Sequence, residues 1–249
     1  LRPGAVAAYE EQVRNDGFPD YRVHPTQGGE PRTAISHIEP FNARNLRAFG
    51  YDMYSEPVRR AAMAAARDSG QAALSGKVVL VQEGGASNDS GVLMYLPVYR
   101  SGRDVETVEQ RRAALVGWIY APFRMNDLMR GVGGIAAPHL DIEIYDGDRM
   151  TAEALLYRSP GAERTDAPRL SSTTRMAMAG RTWTVRMASS ANLEATLDHV
   201  SSQLEASVEQ DNGSWGGALA LHRQTHVAVT DDGAVAAQGF GGRVHQQSG

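Results

Sequence analysis

The sequence predicts an α+β protein: the end of a helix, then two small antiparallel sheets in tandem. Two apolar runs, "GVLMYLPVYR" (91–100) and "LVGWIYAPF" (115–123), read as adjacent strands of one sheet. A second set of strand signals restarts after residue 125, where "LDIEIYDG" alternates and "STTRMAMAGRTWTVRMAS" reads as a hairpin. Strands and helices do not alternate one for one, which excludes the βαβ repeat of a parallel sheet.

The elements follow in order. Val6, Tyr9 and Val13 fall on one face of a helix over 5–15, closed by Asp16, Gly17 and Pro19. "DYRVHP" and "RTAISHIEPF" read as short strands around the turn "TQGGEP", and 41–50 as a short helix. Ser55 reads as an N-cap, with Glu56 and Pro57 in the first turn of an alanine-rich helix that Gly70 ends. "GKVVLVQE" (76–83) is a strand, joined to 91–100 by a Gly/Ser/Asn loop. Residues 104–113 form a polar helix, and 115–123 reads as a buried strand. "RMNDLMRG" is a short helix, with the boundary between the two units at Phe123 to Asp127. Leu140, Ile142 and Ile144 share one strand face, "ALLYRS" is another strand, and the hairpin turns at Ala179–Gly180. Leu193, Leu197, Val200 and Leu204 have helical spacing. From Asp211 the chain is Gly-rich and polar without a sustained period.

Composition narrows the function. The 249 residues suit one large domain or two small ones, and 42% hydrophobic with 22% charged content is ordinary for a globular protein. A net charge of −4 implies no basic surface for nucleic acid or anionic lipid. Lys77 is the only lysine. The absence of cysteine excludes disulfides, thiolate metal sites and a cysteine nucleophile. No run approaches the ~18 apolar residues of a membrane span. The chain starts at Leu1 with neither Met nor a secretory signal, and is expected to be a fragment of something longer.

Catalytic motifs fail on spacing. "GQAALSGKV" puts five residues between Gly70 and Gly76 where a phosphate loop has four, and Val78 where it has Ser or Thr. "GVGG" (131–134) lacks the third glycine of a dinucleotide loop. His222 and His226 are four apart, but Arg223 stands where a metalloprotease needs Glu. No GxSxG elbow occurs. Asp141 and Glu143 share a strand face, read as solvated. No catalytic residue, metal site or cofactor is therefore expected, and the chain is expected to bind rather than react.

Longer phrases are specific. "NDGFPDYRVHP" (15–25), "RAFGYDMYSEPVRRAAMAAARDSGQAALSGKVVLVQE" (47–83), "GVLMYLPVYR" (91–100), "RRAALVGWIYAPFRMNDLMRG" (111–131) and "RTWTVRMAS" (181–189) resemble the CHASE family, the extracytoplasmic sensing domains of bacterial and plant membrane receptors. The resemblance spans roughly residues 5 to 200. It implies a stalk helix, two stacked PAS-like subdomains held between two transmembrane helices, and homodimers formed through the stalk. On this chain the stalk end is 1–16, the membrane-distal subdomain 17–125 and the proximal one 126–192, with a C-terminal helix and poorly ordered tail over 193–249.

The resemblance also implies a periplasmic location and a cytoplasmic output: a two-component histidine kinase, a diguanylate cyclase or a cyclic-di-GMP phosphodiesterase. The implied partner is a small molecule in the distal subdomain, adenine-like in the cytokinin receptors of plants. The acid that bonds the adenine ring there matches Asp52, and the leucine whose backbone touches the ligand matches Leu74. A pocket threonine is replaced by Tyr95, whose phenol fills more space and implies a smaller or differently shaped pocket. Met53, Trp118 and Tyr120 are placed to line the same cavity.

Each residue also has a plainer reading. Asp52 can satisfy backbone N–H groups near the helix start, and Leu74 and Tyr95 can be core. Asp52 as a ligand acceptor would supply about 1.5–3 kcal/mol through a charge-assisted bond. The alternative for the whole domain is a structural or dimerisation module whose pocket is filled by side chains. After residue 200 the family implies a second hydrophobic span, where this chain has "DNGSWGGALALHRQTHVAVTDDG".

Overall fold

The computed structural model describes residues 1, 4–26, 31–80, 90–133, 139–160, 162, 167–212, 226–229 and 235–238. They form two compact units, Leu1–Leu197 and Asp198–Gly249. The first unit is α+β with antiparallel sheets.

Helix α1 (Val6–Asn15) buries Val13 against Tyr21 and Val23, with Tyr9 and Phe49 alongside. Glu10 Oε1 accepts from the Val23 amide at 2.8 Å, tying the helix to the chain that follows. The two strands expected before residue 41 do not form. Each segment makes one isolated bridge instead, His24 with Tyr51 and Ala34 with Asp52. Pro25, next to His24, brings no N–H to a ladder, so the first segment does not extend past its bridge. Both bridges converge on 51–52, which fixes that dipeptide from two sides. A short 3₁₀ turn at Asn45–Ala48 replaces the helix expected over 41–50.

Helix α2 (Pro57–Ser69) starts one residue later than Ser55 suggested. Glu56 is its N-cap, accepting from the amides of Val58 at 2.9 Å and Arg59 at 2.8 Å, with Pro57 in the first turn. Ser55 instead closes a 3₁₀ turn, donating to the Asp52 carbonyl at 2.6 Å. Gly70, at φ +73°, ends α2 in the left-handed region.

The first sheet is built on β3 (Ser90–Tyr99). Along one edge lie β1 (Ala73–Leu74) and β2 (Val78–Val79); along the other runs β4 (Leu115–Arg124), paired from Gly91↔Arg124 to Tyr99↔Leu115. Helix α3 (Val108–Ala114) feeds β4 through a capping box between Thr107 and Gln110. β4 is an edge strand rather than a buried one, and Ile119 is 65% exposed. One face of this sheet, carrying Leu93 and Tyr95, packs under Ala62, Met63 and Ala66 of α2.

The opposite face, carrying Leu74 and Val92, shares a core with the second sheet. Helix α4 (Met125–Gly133) contributes Met125 to that core and leads to β5 (Leu140–Asp146). The second sheet runs β6 (Leu155–Arg158), β5, β8 (Arg181–Ser189) and β7 (Ser171–Met178), all antiparallel. The β7–β8 hairpin turns at Ala179 and Gly180, both at positive φ, as a two-residue primed turn requires. Trp183, Val185, Ile144 and Leu156 form its inner layer.

Glu143 is not solvated. It is buried, accepting from Arg158 Nε at 2.8 Å, Tyr145 Oη at 2.9 Å and Arg186 Nη1 at 3.0 Å. Cross-strand pairing puts both arginines directly opposite it.

Helix α5 (Ala191–Asn212) follows β8. In the second unit β9 (His226–Val229) and β10 (Val235–Gln238) pair antiparallel. His226 is therefore on a strand, while His222 and most of the expected tail lie outside the described residues. Among the described residues no helix is long and apolar enough to cross a membrane.

Candidate ligand-binding site

The Asp52 carboxylate is held by four internal donors. Oδ1 accepts from the Thr33 amide at 2.9 Å, the Tyr54 amide at 3.1 Å and Thr33 Oγ1 at 3.2 Å. Oδ2 accepts from Arg32 Nη1 at 3.1 Å. The side chain has no exposed surface. Gly50 sets the approach: its φ is +85°, and a Cβ there would lie 2.0 Å from the Arg22 carbonyl oxygen. The chain can therefore turn into Tyr51 and Asp52 only with glycine at 50.

Tyr95 occupies the centre of β3 and is 0% exposed. Its partner on β4 is Tyr120, ring centroids 6.0 Å apart. The Tyr95 hydroxyl has no hydrogen-bond partner among the described residues. Burial pushes its pKa far up, with Arg59 opposing and Tyr120, Glu56 and Tyr51 adding to the rise. Burial also pushes Tyr120 up to about 12, again against Arg59. Both phenols are neutral donors at any physiological pH.

Trp118 sits on the same face. Its indole N–H donates to the Met63 carbonyl of α2 at 2.9 Å, and its ring lies 5.6 Å from that of Tyr54. Met53 is buried in the same cluster. Asp52, Met53, Tyr95, Trp118 and Tyr120 thus lie on the α2 side of the first sheet or at its entrance. Leu74 does not. It pairs with Met94, its side chain belongs to the core shared with the second sheet, and its amide donates to the Ala179 carbonyl at 2.9 Å. Alternation along β1 puts Ala73, not Leu74, on the Tyr95 side.

Sequence reasoning missed Arg59. This residue is 3% exposed, yet it stands on the apolar stripe of α2 with Ala62, Met63 and Ala66. An arginine at i, ahead of buried positions i+3, i+4 and i+7, is the signal that could have found it. Its Nη2 donates to the Val79 carbonyl at 2.7 Å and its Nη1 to Met53 Sδ at 3.8 Å. The guanidinium lies 4.9 Å from the Tyr51 ring centroid, and Nε is 4.0 Å from Glu56 Oε2.

A separate cleft of about 600 Å³ opens where β2 and β3 meet α4 and β6. Lys77, Val79, Ser90, Asn126, Tyr157 and Arg158 are among its walls, and none of the expected site residues lines it. Among the described residues no group of three or more His, Asp or Glu is placed to hold a metal ion.

Residues 1–157 match the family model of the CHASE domain. The chain belongs to the CHASE family. Its role is therefore that of a sensing module of signalling receptors. The CHASE match ends within β6, so β7 and β8 lie beyond it. Residues 200–249 match a second model, a domain of unknown function (DUF802). No curated protein matches the chain.

Proposed function

We propose that this CHASE chain is the periplasmic ligand-sensing part of a membrane receptor. A small molecule enters the α2 side of the first sheet, the membrane-distal, PAS-like subdomain. Asp52, Met53, Tyr95, Trp118 and Tyr120 border the site, and Leu74 supports it from the opposite face of the sheet. The observation that carries this reading is the Tyr95 hydroxyl, fully buried and unmatched among the described residues, on the strand that the resemblance assigns to the pocket. Closure around a ligand would shift α2 against β3 and β4. Homodimeric stalk helices upstream of α1 would pass the shift to a cytoplasmic kinase or cyclic-di-GMP enzyme. Such a relay needs a ligand with different affinity for the two states.

A specific observation favours a second reading, a domain with a filled core and no ligand. All four donors to Asp52 are internal, which leaves the acid engaged without any adenine-like partner. A thermal-shift screen of the full chain with purines, cytokinins, amino acids and carboxylates separates the two. Ligand sensing predicts that at least one class raises Tm in a concentration-dependent way. A flat screen across all four classes would leave the filled core standing.

A further inference from the structure

Two buried donors on the α2 side of the first sheet lack acceptors among the described residues: Arg59 Nε and Tyr95 Oη. Both side chains are more than nine-tenths buried. They belong to one neighbourhood. The Arg59 guanidinium touches Met53 and the Tyr51 ring, and both of these pack in the cluster that contains Tyr95 and Tyr120.

The acidic side chains nearby are already committed. Glu56 spends its two oxygens on the amides of Val58 and Arg59, and stands 4.0 Å from Arg59 Nε without a hydrogen bond to it. Asp52 is filled by Arg32, Thr33 and Tyr54. Among the described residues the Arg59 guanidinium thus hydrogen-bonds a backbone carbonyl and a thioether, and its ion pair with Glu56 is long, at 4.0 Å. A buried guanidinium is costly unless it meets an acceptor, preferably an anionic one. Burial keeps the Tyr95 phenol neutral, so it brings a hydroxyl donor as well as acceptor lone pairs, and neither is matched among the described residues.

We infer that the sensing site of this chain takes a small carboxylate, with Arg59 Nε and Tyr95 Oη donating to its oxygens. This rests on the ligand-sensing reading and names its ligand class. The aromatic walls at Tyr51, Trp118 and Tyr120 suit an apolar body on that carboxylate. Purine recognition, by contrast, needs an acceptor for ring N–H groups, and the Asp52 and Glu56 carboxylates already accept internal N–H groups.

The test pairs each carboxylate with its neutral amide at constant ionic strength: acetate with acetamide, benzoate with benzamide, phenylacetate with phenylacetamide. Binding to the full 249-residue chain is followed by calorimetry and thermal shift. At least one carboxylate should bind, and its amide at least tenfold more weakly. Tyr95→Phe, which removes one oxygen and keeps the ring, should weaken that carboxylate several-fold. Arg59→Met should abolish it. Should Arg59→Met fail to fold, the Tyr95→Phe affinity and the carboxylate-to-amide ratio decide alone. Equal binding of acid and amide, or unchanged affinity in Tyr95→Phe, overturns the carboxylate assignment. Binding of purines or cytokinins without carboxylates also overturns it while leaving ligand sensing intact. Binding of nothing in either panel overturns both.

Discussion

Arg32 Nη1 lies 3.1 Å from Asp52 Oδ2, an ion pair whose acidic member has no exposed surface. The same carboxylate ties down the Thr33 and Tyr54 amides, so one side chain stitches the 31–35 segment to the entrance of α2. Asp52→Ala would remove the acceptor of four donors at once. Breaking a buried pair from one side costs about 3–5 kcal/mol. The urea midpoint should fall accordingly, and Asp52→Asn, which keeps one acceptor oxygen, should lose less. A loss below about 1 kcal/mol for the alanine variant would mean that the internal network is dispensable and the acid is spare for a ligand.

The backbone that presents this acid is equally constrained. Gly50→Ala places a methyl 2.0 Å from the Arg22 carbonyl oxygen at a φ of +85°. The neighbour is backbone and cannot swing aside. The strain and the clash together should cost about 2–4 kcal/mol, read as a lower Tm and a lower urea midpoint. Gly102→Ala is the control. It also has positive φ, but nothing lies within 4 Å of its Cβ, so only the conformational cost of about 1 kcal/mol applies.

The sequence carried the architecture because periodicity reports burial. β3, β4, β5 and the β7–β8 hairpin were legible from apolar runs, alternation and one Ala–Gly turn. The segments before residue 41 read as strands because their residues favour extended backbone, but pairing is a tertiary property, and each found a single bridge to 51–52. Glu143 was misjudged for a similar reason. Alternation puts it on the polar face of β5, and only the register brings Arg158 and Arg186 opposite it. At the candidate site, Asp52 and Tyr95 were reached through family phrases. Arg59 was hidden inside a helix whose alanines dominated the reading, and its lack of an acceptor at Nε is visible only in three dimensions.

The Glu143 network makes stability depend on acid. Burial alone would raise the Glu143 pKa, but bonds from Arg186, Tyr145 and Arg158 outweigh it and hold the group below its ordinary value. A depressed carboxyl pKa means the unfolded chain binds the proton more readily. The contribution is complete above the ordinary Glu value of 4.5 and is lost as pH falls through the folded value. Asp68, held low first by Arg112 and then by Arg67, adds to the same acid limb from a more exposed position. Glu143→Gln should cost about 1–3 kcal/mol at pH 7, discounted because both arginines are over a third exposed. The gap between wild type and variant should close as urea titrations move from pH 7 to pH 3. A gap that stays constant over that range would assign the loss to packing instead of charge.

Tyr95→Phe should move stability and binding in opposite directions. In the free protein the Tyr95 hydroxyl is buried without an acceptor among the described residues. An unmatched buried polar group costs about 1–3 kcal/mol, so removing the oxygen while keeping the ring should leave the protein as stable or raise its urea midpoint by up to about 1 kcal/mol. The ring still lies beside that of Tyr120 and still packs under α2. A core tyrosine with a purely structural hydroxyl bond would show the reverse, a loss of stability on truncation. The decisive measurement is the pair of urea curves without added carboxylate. A destabilised Tyr95→Phe would show that the oxygen already has a partner in the resting protein and is not held in reserve for a ligand.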